Sequence, residues 1–239
     1  MNINKILLLG SSGMVGQNIL KKKNQYKILC PNRKELNLLN YKKVKLYISK
    51  NKPQLVINCA ALVGGVKFNL DNQLRMLNEN IEISKNVIMA SYECDIKNLI
   101  NLASSCIYPP LKNKEKSSSE SFILSGNFEP TNEGYALAKV YSIKLCKYLI
   151  DKNKSISYKT IIPCNLYGPY DNFDKDKSHL VAAAILKINK AIVEKKKEVE
   201  IWGSGNASRE FLYVEDLVDF IFLCVKNLKE IPDIINCGY

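Results

Sequence analysis

Apolar residues along this chain fall into short unbroken runs, separated by stretches with helical periodicity. Lys5 to Leu9 is the first run and a glycine-rich turn stops it. Met14 to Lys23 follows with Met14, Val15, Ile19 and Leu20 at helical spacing. Tyr26 to Cys30 and Leu55 to Asn58 predict the second and third strands. The helix between them is predicted over Tyr41 to Lys50, with a break at Pro53. Residues 70–93 predict a long helix through Leu74, Leu77, Ile81 and Ile88, and Asn98 to Leu102 a fourth strand. Pro109 to Pro130, rich in Lys, Ser, Asn and Gly, reads as a surface excursion. A helix over Thr131 to Ile150 and a strand over Tyr158 to Ile162 come next. After them lie an irregular stretch around Pro169 to Asp174, amphipathic helices over 180–197 and 214–227, and a strand-like end at Ile235 to Tyr239. Short buried strands alternating with helices predict an α/β fold with a doubly wound parallel sheet.

Composition narrows the partners. The 239 residues are 46% hydrophobic, which excludes general disorder and permits a substantial core. The formal charge of +12 raises nucleic acid as a ligand, but its 35 cations are 32 Lys and only three Arg: Arg33, Arg75 and Arg209. Base and phosphate recognition leans on the planar fork of Arg, so no nucleic-acid partner is predicted. With 26 Asn beside the lysines, the excess reads as compositional bias on solvated faces, and Lys21–Lys23 and Lys195–Lys197 as helix ends. Eight cysteines show no CxxC spacing and only one histidine accompanies them, so no metal site is predicted. Cys59 and Cys224 sit inside apolar runs, as reduced thiols do, which fits a reducing cytosol. Ile6 to Leu9 is too short for a signal peptide and no run approaches the roughly 20 residues of a membrane span. A cytoplasmic protein is expected.

Chemistry concentrates at three places. Gly10-Ser11-Ser12-Gly13-Met14-Val15-Gly16 has GxxGxxG spacing between the first strand and first helix. Glycines there allow a tight turn and a close approach to a pyrophosphate, which the helix N-terminus then binds. The bland alternative is a glycine turn alone. Strand two ends Cys30-Pro31-Asn32-Arg33-Lys34, with no carboxylate until Glu35. A cation at that point suits the 2′-phosphate of NADP better than the free ribose of NAD, unless Arg33 is simply exposed. Tyr135 and Lys139 share a helix face at i and i+4, and the strand-four end offers Ser104, Ser105 and Cys106. Ser, Tyr and Lys around a nicotinamide form a proton-transfer set for carbonyl reduction, in which a nearby ammonium is expected to lower the phenol's pKa.

These segments, taken together, resemble the GDP-L-fucose synthase family of extended short-chain dehydrogenase/reductases. The likeness runs through Gly10 to Gly16, Glu35 to Leu39, Ala60 to Gly65, Ser104 to Pro109, Glu129 to Glu133 and the Tyr135/Lys139 pair. It continues through Asn165 to Phe173, Ser178-His179, Ile201 to Gly205 and Arg209 to Leu212. The resemblance implies NADP(H) as cofactor and a GDP-sugar as substrate, with 3,5-epimerisation and 4-reduction of GDP-4-keto-6-deoxymannose. It gives Ser104, Tyr135 and Lys139 as the reductase triad, Tyr135 delivering a proton to the C4 oxygen. It gives Cys106 and His179 as the acid/base pair of epimerisation, the thiol abstracting and the imidazole returning a proton. Gly10, Ser11, Ser12, Gly13, Met14, Val15, Gly16, Arg33, Ala60, Pro163, Asn165 and Leu166 are the implied cofactor contacts, beside Tyr135 and Lys139. Asn165, His179, Lys187, Trp202 and Arg209 are the implied substrate contacts. A homodimer through helices flanking the sheet is implied as well.

The chain departs from that pattern in three respects. Ser12 and Leu62 stand where the family commonly has basic residues. The chain also stops in a strand-like segment beyond which family members continue. The expected organisation is a dinucleotide-binding domain over 1–165, to which segments near 205–225 return, and a partial substrate subdomain over 166–239. Against the epimerase/reductase reading stand a 4-epimerase of the same fold and an inactive cofactor-binding copy. A 4,6-dehydratase would want an Asp-Glu pair where Ser105-Cys106 lies.

Overall fold

Six parallel strands are ordered β2-β1-β3-β4-β5-β8 in a computed structural model, which describes residues 3–22, 25–110, 118–175, 177–201, 203 and 205–238. The strands are β1 (Lys5–Leu9), β2 (Lys27–Leu29), β3 (Leu55–Asn58), β4 (Asn98–Leu102), β5 (Ser157–Pro163) and β8 (Ile234–Cys237). Three, β1, β3 and β4, have the bounds that the apolar runs predict, since each is a nearly continuous buried apolar run. Alternate side chains feed two cores. Ile6, Leu8, Ile57, Ile100 and Ile161 meet Ile19 of α1 (Met14–Lys21) and Leu217, Val218 and Ile221 of α7 (Val214–Lys226). Leu7, Leu9, Val56, Leu99 and Tyr158 meet α2 (Tyr41–Asn51), α4 (Gln73–Glu93) and α5 (Glu133–Lys152). The sheet is therefore doubly wound, as expected.

From β1 the chain crosses to β2 on one side, then returns over β1 to β3 on the other. That reversal opens a crevice at the carboxyl ends of β1 and β3, where ligands of such sheets bind. The long helix predicted over 70–93 is two, α3 (Val66–Asp71) and α4, broken at Asn72. The Asn72 side chain donates to the Phe68 carbonyl at 2.8 Å, a local bond that competes with continuing the helix.

Past β5 the irregular stretch holds strand β6 (Asn165–Tyr167), paired in parallel with β7 (Phe211–Tyr213). Three-residue strands carry no readable periodicity, and this pair is held by rings instead. Tyr167 lies 6.4 Å from Phe211 and 5.5 Å from Tyr213 between centroids. Between them α6 (Leu180–Val193) ends short of residue 197, and Lys195 has a left-handed φ of 55°. The chain returns to the sheet through α7, which overlaps the stretch near 205–225, and then β8. Thr160 to Pro163 offer Ile234 to Cys237 four registered partners on the free edge of β5. Among the described residues no helix is long and apolar enough to cross a membrane.

Candidate active site

The turn after β1 is built by close contact. Gly10 has φ +82°, and a Cβ there would lie 2.6 Å from the Ala60 nitrogen. One on Gly16 would lie 2.3 Å from the Gly10 carbonyl oxygen. Both glycines are thus required by the protein's own packing. Gly13 differs: a Cβ would meet only the Gly10 oxygen, at an ordinary 3.5 Å. Beyond that one contact its side is open, which suits a ligand's approach. Gly13 is also the N-cap of α1, with neither a side-chain cap nor an acidic residue in the first turn. A helix start left so bare is a ready anion site, and the residues fit a dinucleotide pyrophosphate.

At the end of β2, Glu35 is committed elsewhere. Its carboxylate accepts from the Asn32 N–H at 2.8 Å, while the Asn32 side chain accepts from the N–H groups of Lys34 and Glu35. This closed turn removes the nearest carboxylate from a ribose hydroxyl and leaves Arg33 exposed, without an ion pair among the described residues. That arrangement fits a 2′-phosphate.

The loop after β3 carries Ala60 and runs to Gly65. Asn80 of α4 clamps its middle, accepting from the Leu62 N–H at 2.7 Å and donating to the Leu62 carbonyl at 2.9 Å. Gly65 donates to the Lys177 carbonyl at 2.9 Å, and a Cβ on it would lie 2.5 Å from the Ser178 oxygen. This contact brings the segment ending in His179, the N-cap residue of α6, against the same loop.

β4 ends at Leu102, and Ser104 to Ile107 turn at its carboxyl edge. Ser104 hydrogen-bonds Cys106, and Lys139 and Tyr135 both lie within electrostatic reach of that thiol. Burial pushes the Cys106 thiol up to about 11, outweighing Ser104 and Lys139, so at neutral pH it is a proton donor rather than a thiolate. Lys139 is 4% exposed and donates to the Leu102 carbonyl at 2.7 Å, its ammonium 5.4 Å from the Tyr135 ring centroid. Desolvation lowers its pKa to about 8. Tyr135 moves opposite to the expected lowering: burial raises it, with Cys106 adding, so the phenol keeps its proton. An ammonium bound to a carbonyl above the ring does not offset the loss of water around the hydroxyl. Burial also holds the His179 imidazole below its ordinary value, with Asp171 pulling back, and so neutral near pH 7.

The remaining candidates sit on other elements. Pro163 ends β5, buried, and Leu166 of β6 packs against the core. Asn165 donates to the Glu210 carbonyl at 2.9 Å, tying β6 to the residue before β7. Lys187 is half-buried on α6 with its ammonium on the Glu200 carbonyl, and Arg209 is exposed with Nη1 on the Ser208 carbonyl. Trp202 falls outside the described residues. Sequence reasoning missed Asn80, Gln73 and Asn58. Gln73 accepts from the Gly134 N–H at 2.7 Å and donates to the Pro130 carbonyl, holding the start of α5 one residue before Tyr135. In a chain with 26 Asn, a structural amide does not stand out.

Comparison with known proteins agrees with this geometry. Residues 6–238 match the family described as NAD dependent epimerase/dehydratase family. The chain is 48% identical over 236 residues to a GDP-L-colitose synthase of Yersinia pseudotuberculosis, spanning 98% of this chain and 76% of that one. It is 41% identical to a GDP-L-fucose synthase of Azorhizobium caulinodans, over 98% and 75% of the two chains. Its fold is similar to a crystal structure of a GDP-L-fucose synthetase from Naegleria fowleri bound to NADP, with TM-score 0.87 and 25% identity. That likeness covers 99% of this chain and 77% of the other.

Proposed function

Since the chain belongs to the NAD dependent epimerase/dehydratase family, we propose that it is an NADPH-dependent enzyme making a GDP-6-deoxysugar. The substrate is GDP-4-keto-6-deoxy-D-mannose, epimerised at C3 and C5 and then reduced at C4 to GDP-L-fucose. The observation that carries this reading is the convergence of Ser104, Cys106, Tyr135 and Lys139 at the carboxyl edge of β4.

The cofactor supplies hydride to C4 when bound. The Gly10–Gly16 turn holds its pyrophosphate and Arg33 its 2′-phosphate. Tyr135, protonated across the neutral range, gives its proton to the C4 oxygen, and the Lys139 ammonium stabilises the phenolate left behind. Ser104 orients that oxygen. The 4-keto group acidifies C3 and C5. Neutral His179 takes a proton from the ring and the Cys106 thiol gives one to the opposite face, and the imidazolium's proton passes back to the thiolate through solvent before the second carbon reacts. This division of roles is the reverse of the one expected from the sequence. Asn165, Lys187, Trp202 and Arg209 serve the GDP-sugar, and a dimer forms through the helices flanking the sheet. A substrate subdomain over 166–239, from which α7 and β8 return to the sheet, stands against a dinucleotide-binding domain over 1–165.

The test is incubation with NADPH and the keto-sugar, following loss of nicotinamide absorbance and identifying the product by chromatography. GDP-L-fucose supports the reading, and no turnover by folded protein overturns it. GDP-L-colitose, formed from the corresponding 3-deoxy keto-sugar and not from the first, establishes the second reading, which the 48% identical relative favours. Cys106→Ser is expected to stop epimerisation and leave reduction of the unepimerised ketone. Equal loss of both contradicts the division of roles.

A further inference from the structure

We propose that Asn58, Asn101 and Ser142 form a buried relay that positions Lys139 and ties it to the turn around the dinucleotide. Four hydrogen bonds run head to tail. The Ala60 N–H donates to Asn58 Oδ1 (3.2 Å), and Asn58 Nδ2 donates to Asn101 Oδ1 (3.0 Å). Asn101 Nδ2 donates to Ser142 Oγ (3.0 Å), and the Ser142 hydroxyl donates to the Lys139 carbonyl (2.8 Å). Asn58, Asn101 and Ser142 are 1%, 0% and 0% exposed.

Asparagine is depleted in strands, and burying an amide is unfavourable unless it is bonded. Here two face each other in register across β3 and β4. Each amide is orientated by its neighbour. The Asn58 oxygen is engaged by Ala60, so its NH2 turns to Asn101. The Asn101 oxygen is then engaged, so its NH2 turns to Ser142, whose proton is left for Lys139. At one end lies Ala60, whose nitrogen is the atom a Cβ on Gly10 would strike. At the other, consecutive residues of β4 grip Lys139 twice: Asn101 through Ser142 at its carbonyl, and Leu102 at its ammonium. Cys59, Cys106 and Tyr135 are the titratable groups that face it. The three relay residues touch no reacting atom and are positioning residues.

The inference rests on Tyr135 and Lys139 being the reductase pair, and its test separates the two. Ser142→Ala is expected to lower kcat about tenfold with the Kd for NADPH within about twofold, and Ser142→Thr to restore most of the rate. Asn58→Ala breaks the other end and is expected to weaken NADPH binding severalfold as well. In the cofactor-free protein, the side-chain nitrogen-15 signal of Lys139 is expected to titrate higher in Ser142→Ala than in the wild type. The relay is overturned by wild-type kcat and an unmoved lysine titration in Ser142→Ala, or by a Thr variant no better than Ala. If the wild type itself fails to turn over, the function falls, while the lysine titration and NADPH affinities still decide the relay. Should Asn58→Ala not fold, the Ser142 pair decides alone.

Discussion

Lys139 couples pH to chemistry. Its pKa near 8 lies below the ordinary 10.5 because the ammonium is buried. Below about 8 the charge that stabilises a Tyr135 phenolate is present, and above it that charge is lost. Reduction of a 4-keto sugar is therefore expected to fall about tenfold per pH unit above 8, read from kcat against pH. The proposed epimerisation is expected to show an acid limb instead: as pH drops below the lowered pKa of His179, the imidazole takes a proton and can no longer serve as a base. The same burial has a stability sign. The unfolded chain holds this lysine's proton up to about 10.5, whereas the native one releases it near 8, so this group's contribution to stability rises between those values. Below 8 the desolvated ammonium costs about 3 kcal/mol. Lys139→Met is expected to lower kcat by about a hundredfold or more while leaving Tm at pH 7 unchanged or higher. A drop in Tm of several degrees would show instead that the bond to Leu102 outweighs desolvation. Arg33 gives a narrower prediction: Arg33→Ala raises the Kd for NADPH about tenfold and leaves that for NADH unchanged, by fluorescence titration.

The start of α5 decides where Tyr135 sits, and elements that sequence reasoning joined or overlooked hold it. The break at Asn72 lets α3 and α4 present Asn69 and Gln73 to it. Asn69 donates to the Asn132 side chain at 2.6 Å, and Gln73 grips Gly134. A Cβ on Gly134 would lie 2.5 Å from the Gln73 backbone oxygen, which cannot yield without moving α4. Gly134→Ala is expected to cost about 1–3 kcal/mol by chemical denaturation and to lower reduction more than epimerisation. Equal effects on both steps would mean that α5 moves as a whole. Buried strands and the glycine turn were legible because their signals are local: an apolar run, a GxxGxxG spacing, a Tyr/Lys pair at helical interval. The α3/α4 break hangs on one Asn side chain inside an otherwise helical pattern. The β6–β7 pair joins three-residue segments from distant parts of the chain, and no periodicity marks it. Tyr135 and Lys139 could be named from sequence, but not the pKa directions of Tyr135 and Cys106, because those depend on how much water the fold removes.

At the scale of the molecule, the +12 charge is the remaining feature with a consequence. Ion pairs such as Lys154–Asp151 and Lys196–Glu194 are exposed on both sides and contribute little to stability. The lysines instead set a diffuse positive field over the protein. NADPH and a GDP-sugar are both polyanions, so that field raises their encounter rate without touching the chemistry after binding. The Debye length is about 30 Å at 0.01 M salt and about 8 Å at 0.15 M, short enough to screen cations remote from the crevice. Raising salt over that range is expected to lower kcat/KM severalfold while kcat stays within about twofold. Lys154→Glu, on an exposed residue in the turn after α5, should reproduce a small part of that loss at low salt and none at high salt. Arg33→Ala should weaken NADPH binding at both, because a placed contact survives screening that a diffuse field does not. A kcat that falls in step with kcat/KM would overturn the separation, showing that the lysine field reaches the reacting groups.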